Sequence, residues 1–172
     1  MRTLEVEVSQ KLEKDIYWIY LNDGGFPRKK LQEGDKVSFQ PMAIKEFAEA
    51  FIKCDRAIWI LDGYFNEIHG LSALWEAFCF TSAQDIRVIS CEKKPNQWLK
   101  DRIKETWEPQ VEIQWREYSK NTFPIHDRFA LLDNELWHFG STVGGGYPGV
   151  GAATRGWDSE KFVKIFKNLW EK

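Results

Sequence analysis

Apolar positions change their spacing several times along the chain. In TLEVEVS (residues 3–9) they alternate with polar ones, DIYWIYL (15–21) is apolar and aromatic, and NDGG is a turn signal, so residues 1–40 read as β-structure. FPRKKLQEGDKVSFQ (26–40) is a basic loop or a third short strand. Pro41 opens a segment in which Ile44, Phe47, Ala48 and Phe51 fall at helical spacing. RAIWILDGY (56–64) is nearly continuous in apolar residues, as expected of a strand covered on both faces. Residues 67–80 read as a helix, 85–91 as a strand, 96–107 as a helix and 111–117 as an alternating strand. An apolar hairpin follows over 123–142, then a glycine-rich loop, GGGYPGVGAATRGW (144–157). The last segment places Phe162, Phe166, Leu169 and Trp170 on one stripe behind an Asp158 cap. Alternating strands and helices predict an α/β fold, a mixed central β-sheet flanked by helices on both faces, preceded by a β-rich N-terminal segment. No internal repeat or linker interrupts this pattern, so residues 1–172 read as a single domain: a β-rich extension over 1–40 and a core over 42–172.

Composition narrows the classes. Hydrophobic residues at 43% and charged residues at 29% are ordinary for a folded domain and argue against disorder. A net charge of −2 argues against gripping nucleic acid by bulk charge and leaves a local basic groove open. Cys54, Cys79 and Cys91 have no metal-ligand spacing and lie in or beside apolar runs, which suits reduced core thiols of a cytoplasmic protein. The first residues lack the apolar stretch of a signal peptide, and no run approaches the roughly 18 residues of a membrane span. Neither export nor membrane insertion is expected. Most of the nine tryptophans read as core or subunit interface.

The hairpin carries the chemistry. Alternate side chains of an extended strand share a face, so His126 and Arg128 are expected together and Asp127 opposite. RFALLD is apolar on both faces, DNE (133–135) is a natural turn, and LWHFGST returns antiparallel. Positions 140–142 therefore come back beside 126–128, with the register open as to whether Ser141 or Thr142 shares the face of His126. An imidazole, a guanidinium, a hydroxyl and the close-approach glycine Gly140 converge at one end of two strands. Planar charge-assisted donors beside a hydroxyl suit a phosphate. Asp133 cannot orient His126, because seven residues of strand span roughly 23 Å at about 3.3 Å each. Its expected task is to cap the hairpin turn.

The pattern His126-x-Arg128-(x)4-Asp133-(x)6-Gly140-Ser141-x-Val143 resembles the phospholipase D superfamily signature HxK(x)4D(x)6GSxN. The resemblance covers roughly residues 42–172. Spacing is kept throughout, while Arg128 replaces lysine and Val143 replaces asparagine. AIWILDGYFNE (57–67) looks like the family's first sheet strand, which ends in an aromatic beside the active site. HDRF followed by LWHFGST and glycines looks most like the single-motif bacterial branch, associated with nucleases of mobile elements and defence. The resemblance implies a phospholipase D-like half fold and a covalent mechanism without metal or other cofactor. One histidine, His126, attacks phosphorus and forms a phosphohistidine; a second protonates the leaving oxygen. The family uses two motif copies and this chain carries one, so a homodimer joined through the motif face is implied. By the same resemblance Arg128, Ser141 and Thr142 contact phosphate, and Asp133 and Gly140 maintain the motif. Val143 lacks the side-chain donor, and no acid follows in the glycine-rich loop; both departures bear on catalysis itself.

Arg155 reads either as a further phosphate contact standing in for the missing donors or as a surface arginine. Asp62 and Tyr64, at the end of the first central strand, are candidates to line the site. His138 and His69 read as structural, and GGGYPGVG as a mobile lid, since it lacks the ending of a nucleotide-binding P-loop. PRKK (27–30) and EKK (92–94) read first as solvated faces. The leading expectation is a metal-independent dimeric phosphodiesterase, a nuclease acting on DNA or RNA. The alternative is a catalytically impaired nucleic-acid-binding or assembly subunit of a larger complex, with a helicase or ATPase as the partner. A lipid substrate is disfavoured, because no amphipathic helix shows a basic face.

Overall fold

The computed structural model describes residues 16–19, 45–66, 70–94, 109–145 and 151–172. Three helices are described: α1 (Lys45–Ile52), α2 (Ser72–Phe80) and α3 (Ser159–Glu171). The strands are β1 (Ile16–Ile19), β2 (Ala57–Leu61), β3 (Asp85–Ser90), β4 (Ile113–Glu117), β5 (Arg128–Leu132), β6 (Glu135–Phe139) and β7 (Gly151–Trp157). Six of them form a mixed sheet in the order β7-β6-β5-β2-β3-β4, and β1 adds to the β7 edge. β2, β3 and β4 run parallel, with α2 in the crossover from β2 to β3; β5, β6, β7 and β1 are joined antiparallel. The chain is α/β.

Alternation along β2 divides the apolar residues into two clusters. Ile58 and Ile60 pack with Phe47 and Phe51 of α1 and with Leu74 and Phe78 of α2. Trp59 and Leu61 pack with Phe162, Phe166 and Leu169 of α3. This double burial is why RAIWIL has no polar alternation. Phe47 meets Phe51, Trp137 and Phe139 edge-on at centroid distances of 5.9, 5.3 and 4.9 Å. Such edge-to-face pairs add about 0.5–1.5 kcal/mol each beyond their burial. At the start of α3 the Asp158 carboxylate accepts from the Lys161 amide at 3.0 Å, the cap expected from sequence. At its end the Tyr118 hydroxyl donates to the Leu169 carbonyl at 2.6 Å, and Arg116 Nη1 donates to that of Trp170. Carbonyls that a helix leaves unpaired are thus met by side chains of β4 and the residue after it.

Several expectations meet a different structure. Residues 151–157, expected within a loop, form β7, which pairs with β6 on one side and β1 on the other. Gly151, Ala152 and Ala153 carry no strand signal of their own; two neighbouring backbones supply the ladder. A bulge lies between Leu136 and Trp137, and Gly156 has φ 87°. The hairpin turn is two residues, Asp133 and Asn134, with β6 beginning at Glu135. The expected elements at 3–9 and 96–107, His69, and residues 146–150 of the expected lid lie outside the described residues. Cys54 and Cys79 are buried, Cys91 is half-buried, and none of the three is in a disulfide. Among the described residues no helix is long and apolar enough to cross a membrane.

Candidate functional site

Because β5 runs antiparallel to β2, its entry lies beside the end of β2, where Leu61 pairs with Phe129. Arg128 pairs in turn with Phe139, the last residue of β6. The ends of β2 and β6 and the start of β5 therefore meet at one edge of the sheet, outside the carboxyl ends of its parallel strands. Open α/β sheets bind their ligands at that edge.

Asp62 follows β2 and has no exposed surface. One carboxylate oxygen accepts from the Tyr64 amide and the other from the Val143 amide, both at 2.9 Å. Burial pushes its pKa up to about 6, while those two hydrogen bonds and the Arg128 charge pull the other way. Arg128 Nε lies 3.5 Å from the Asp62 carboxylate, beyond a hydrogen bond, and Nη1 donates to the Gly140 carbonyl at 3.1 Å. The guanidinium carbon stands 5.1 Å from the Tyr64 ring centroid, and Lys120 Nζ reaches the same ring at 6.0 Å. Tyr64 is 55% exposed, so these contacts lie at the surface. Arg128 Nε and Ser141 Oγ are both buried and have no hydrogen-bond partner among the described residues.

The β5–β6 ladder ends at the Arg128–Phe139 pair and reaches neither His126 nor Ser141 and Thr142, so the strand register does not assign either hydroxyl to the face of His126. Thr142 is buried, and its carbonyl accepts from the Gly145 amide at 2.9 Å. Val143 is fully buried and contributes its amide to Asp62 rather than a side-chain donor to the mouth. Gly144 permits the turn: its φ is 86°, and a Cβ there would sit 2.9 Å from Leu74.

His126 does not stand on the strand. β5 begins at Arg128, and the imidazole side chain is 97% exposed. Strand alternation therefore does not apply at 126–127, and Asp127 is not turned away as expected. Its carboxylate lies 3.8 Å from His126 Nδ1 and 3.8 Å from His138 Nε2. His138 sits between Phe129 and Trp157, with ring centroids at 5.1 and 5.0 Å. Burial, opposed by Asp127 and reinforced by Arg128, lowers its pKa. The sequence does not signal that Asp127 meets both histidines, because no periodicity encodes the bend at the entry to β5.

Two residues are placed elsewhere. Asp133, in the β5–β6 turn with φ 54°, accepts from the amides of Asp55, Arg56 and Ala57 at 3.3, 3.0 and 2.9 Å. It secures the entry to β2 instead of capping its own turn. Burial would raise its pKa, but those amides and Arg56 outweigh it and hold the carboxyl below its ordinary value. Arg155 pairs in register with Trp137 and lies 3.9 Å from Glu135 at the turn end of β6, away from the mouth. Among the described residues no three His, Cys, Asp or Glu side chains are grouped to hold a metal ion.

No protein-family model matches the chain, and no curated protein matches it. Among solved structures it is similar to TrmBL2, an archaeal chromatin protein described as showing a novel mode of DNA binding. The likeness has a TM-score of 0.46 at 12% identity, over 99% of this chain and 63% of that one. At that level it assigns neither a fold family nor a function.

Proposed function

We propose that the chain is a metal-independent phosphodiesterase of the phospholipase D type, a nuclease acting on DNA or RNA from a homodimer joined through the motif face. The observation that carries the reading is that Arg128 Nε and Ser141 Oγ are buried without a hydrogen-bond partner among the described residues, with the exposed His126 two positions before Arg128 in the chain. A buried donor without an acceptor costs about 1–3 kcal/mol, and such groups call for a ligand or another specific role. A phosphate oxygen suits both, accepting from the guanidinium and from the hydroxyl. In this reading helices cover both faces of the sheet, as in a phospholipase D half. His126 attacks phosphorus, the P–O bond to the leaving group breaks, and His126 of the partner subunit protonates the departing oxygen. Water then attacks the phosphohistidine, the P–N bond breaks, and the same partner histidine takes the proton.

A second reading, a nucleic-acid-binding subunit without cleavage, draws on Val143 and Asp62. The valine offers the mouth no side-chain donor, and the Asp62 carboxylate lies against Arg128. One assay separates the two. Purified protein is incubated with labelled single- and double-stranded DNA and with RNA, with and without EDTA. Cleavage that persists in chelator and is lost in His126→Ala is the expected result. Cleavage abolished by chelator and restored by magnesium or manganese overturns the phosphohistidine mechanism. Salt-sensitive binding without cleavage selects the second reading.

A further inference from the structure

The mouth contains a charge that works against its ligand. Asp62 has no contact with solvent, yet its carboxylate sits 3.5 Å from Arg128 Nε, the donor the phosphate reading assigns to substrate. The same carboxylate holds the Tyr64 and Val143 amides, so it links the end of β2 to the segment that carries Ser141. Three parts of the candidate site are therefore set by one side chain.

We infer that Asp62 is the positioning residue of this anion site and that its charge governs the site's affinity. Ionised, it attracts the guanidinium from 3.5 Å without a hydrogen bond; protonated, it keeps the backbone in place and releases that attraction to an anion. The inference rests on the phosphate-site reading and deepens it. With Asp62 ionised, the Asp62–Arg128 pair has no net charge, and an incoming anion must compete with a carboxylate in a low-dielectric setting. When Arg128 turns to the anion, Asp62 loses its cation, and the charge is relieved by taking one proton from solvent to form a carboxyl O–H. Anion binding and proton uptake are then the same event.

Other groups face the same place and have to be separated from Asp62. Tyr64 stands on its own loop and Arg128 on β5. Cys91, after β3, has a thiol pushed up chiefly by burial and in part by the Asp62 charge. Lys120, before β5, pairs with Glu92, after β3, at 3.1 Å. His126 and Asp127 lie at the β5 entry, and His138 lies 3.8 Å from Asp127. The imidazoles are the main competitors for a pH effect near neutrality.

The test measures the affinity of a short oligothymidylate, whose phosphodiesters keep their charge between about pH 5.5 and 8. It is run in the native chain and in one carrying His126→Gln and His138→Gln, each with and without Asp62→Asn. With the Asp62 pKa at about 6, affinity should fall with rising pH and approach about tenfold per unit above it. Asp62→Asn should bind more tightly at neutral pH and lose that slope in both backgrounds. An Asp62→Asn chain that keeps the slope, or binds more weakly at neutral pH, overturns the inference. Should Asp62→Asn fail to fold, carbon-13 NMR of the Asp62 carboxyl in the native chain decides it. The signal should move toward the protonated form when sulfate is added at constant pH; an unmoved signal on a sulfate-bound chain refutes the linkage. A native chain that binds neither sulfate nor oligonucleotide at any pH removes the phosphate-site reading itself, a different failure from an unchanged slope.

Discussion

Arg87 and Arg128 sit on strands either side of β2 and are held in opposite ways. Arg87 Nε donates to Asp85 at 2.7 Å, and its guanidinium lies between Trp59 and Trp170 at 5.3 and 5.2 Å from their centroids. The Trp59 indole donates to the same aspartate at 3.0 Å. Phe166 stacks on both tryptophans, so the rings that meet the cation are themselves packed. Arg128 has one carbonyl at 3.1 Å, one exposed ring, and a carboxylate too distant for its Nε. A guanidinium with matched acceptors and aromatic walls contributes stability. One with a buried donor left over costs stability until a ligand arrives. Two arginines of similar burial thus differ in whether their donors are matched.

The largest effect is expected from Phe166→Ala, which removes a fully buried ring and the slab behind both tryptophans. Stability should fall by about 3–5 kcal/mol in chemical denaturation. A loss under about 1 kcal/mol would show that the Arg87 stack is ornamental.

Next comes the pH dependence of stability. The carboxyl of Asp62 rises from its ordinary 3.8 to about 6 on folding, so the folded state holds its proton more tightly. That stability is complete below the unfolded value and disappears as pH climbs through the folded one, a change of about 3 kcal/mol. Between pH 4 and 6 the native chain should therefore lose about 2 kcal/mol of this relative to Asp62→Asn. Asp133 has the opposite sign: its lowered pKa contributes above the ordinary carboxylate value and is lost as pH falls. Parallel curves for native and Asp62→Asn chains would mean that the carboxylate is not strained by burial.

Arg87→Ala should cost about 2 kcal/mol, from one charge-assisted bond and two ring contacts, and leave oligonucleotide affinity unchanged. Arg128→Ala should show the reverse. Its stability should stay within about 1 kcal/mol of native, while anion affinity drops by about tenfold or more and Arg128→Lys retains part of it. Equal stability losses for the two arginines would erase the distinction drawn between them.

The apolar spacing of the chain is enough to predict the helix behind Asp158, the doubly buried β2, and the β5–β6 hairpin. These follow from local period and capping, which neighbouring residues encode by themselves. The partners across the chain were not legible. Val143 reaches Asp62 across 81 residues, and Ala57 reaches Asp133 across 76. β7 is a strand only because β6 and β1 flank it. The meeting of Asp127 with both histidines depends on where β5 happens to begin. Period and propensity describe how a segment buries its own face. Which distant backbone amide satisfies a buried carboxylate, and which guanidinium is left with a donor to spare, is decided only when the sheet order brings the segments together.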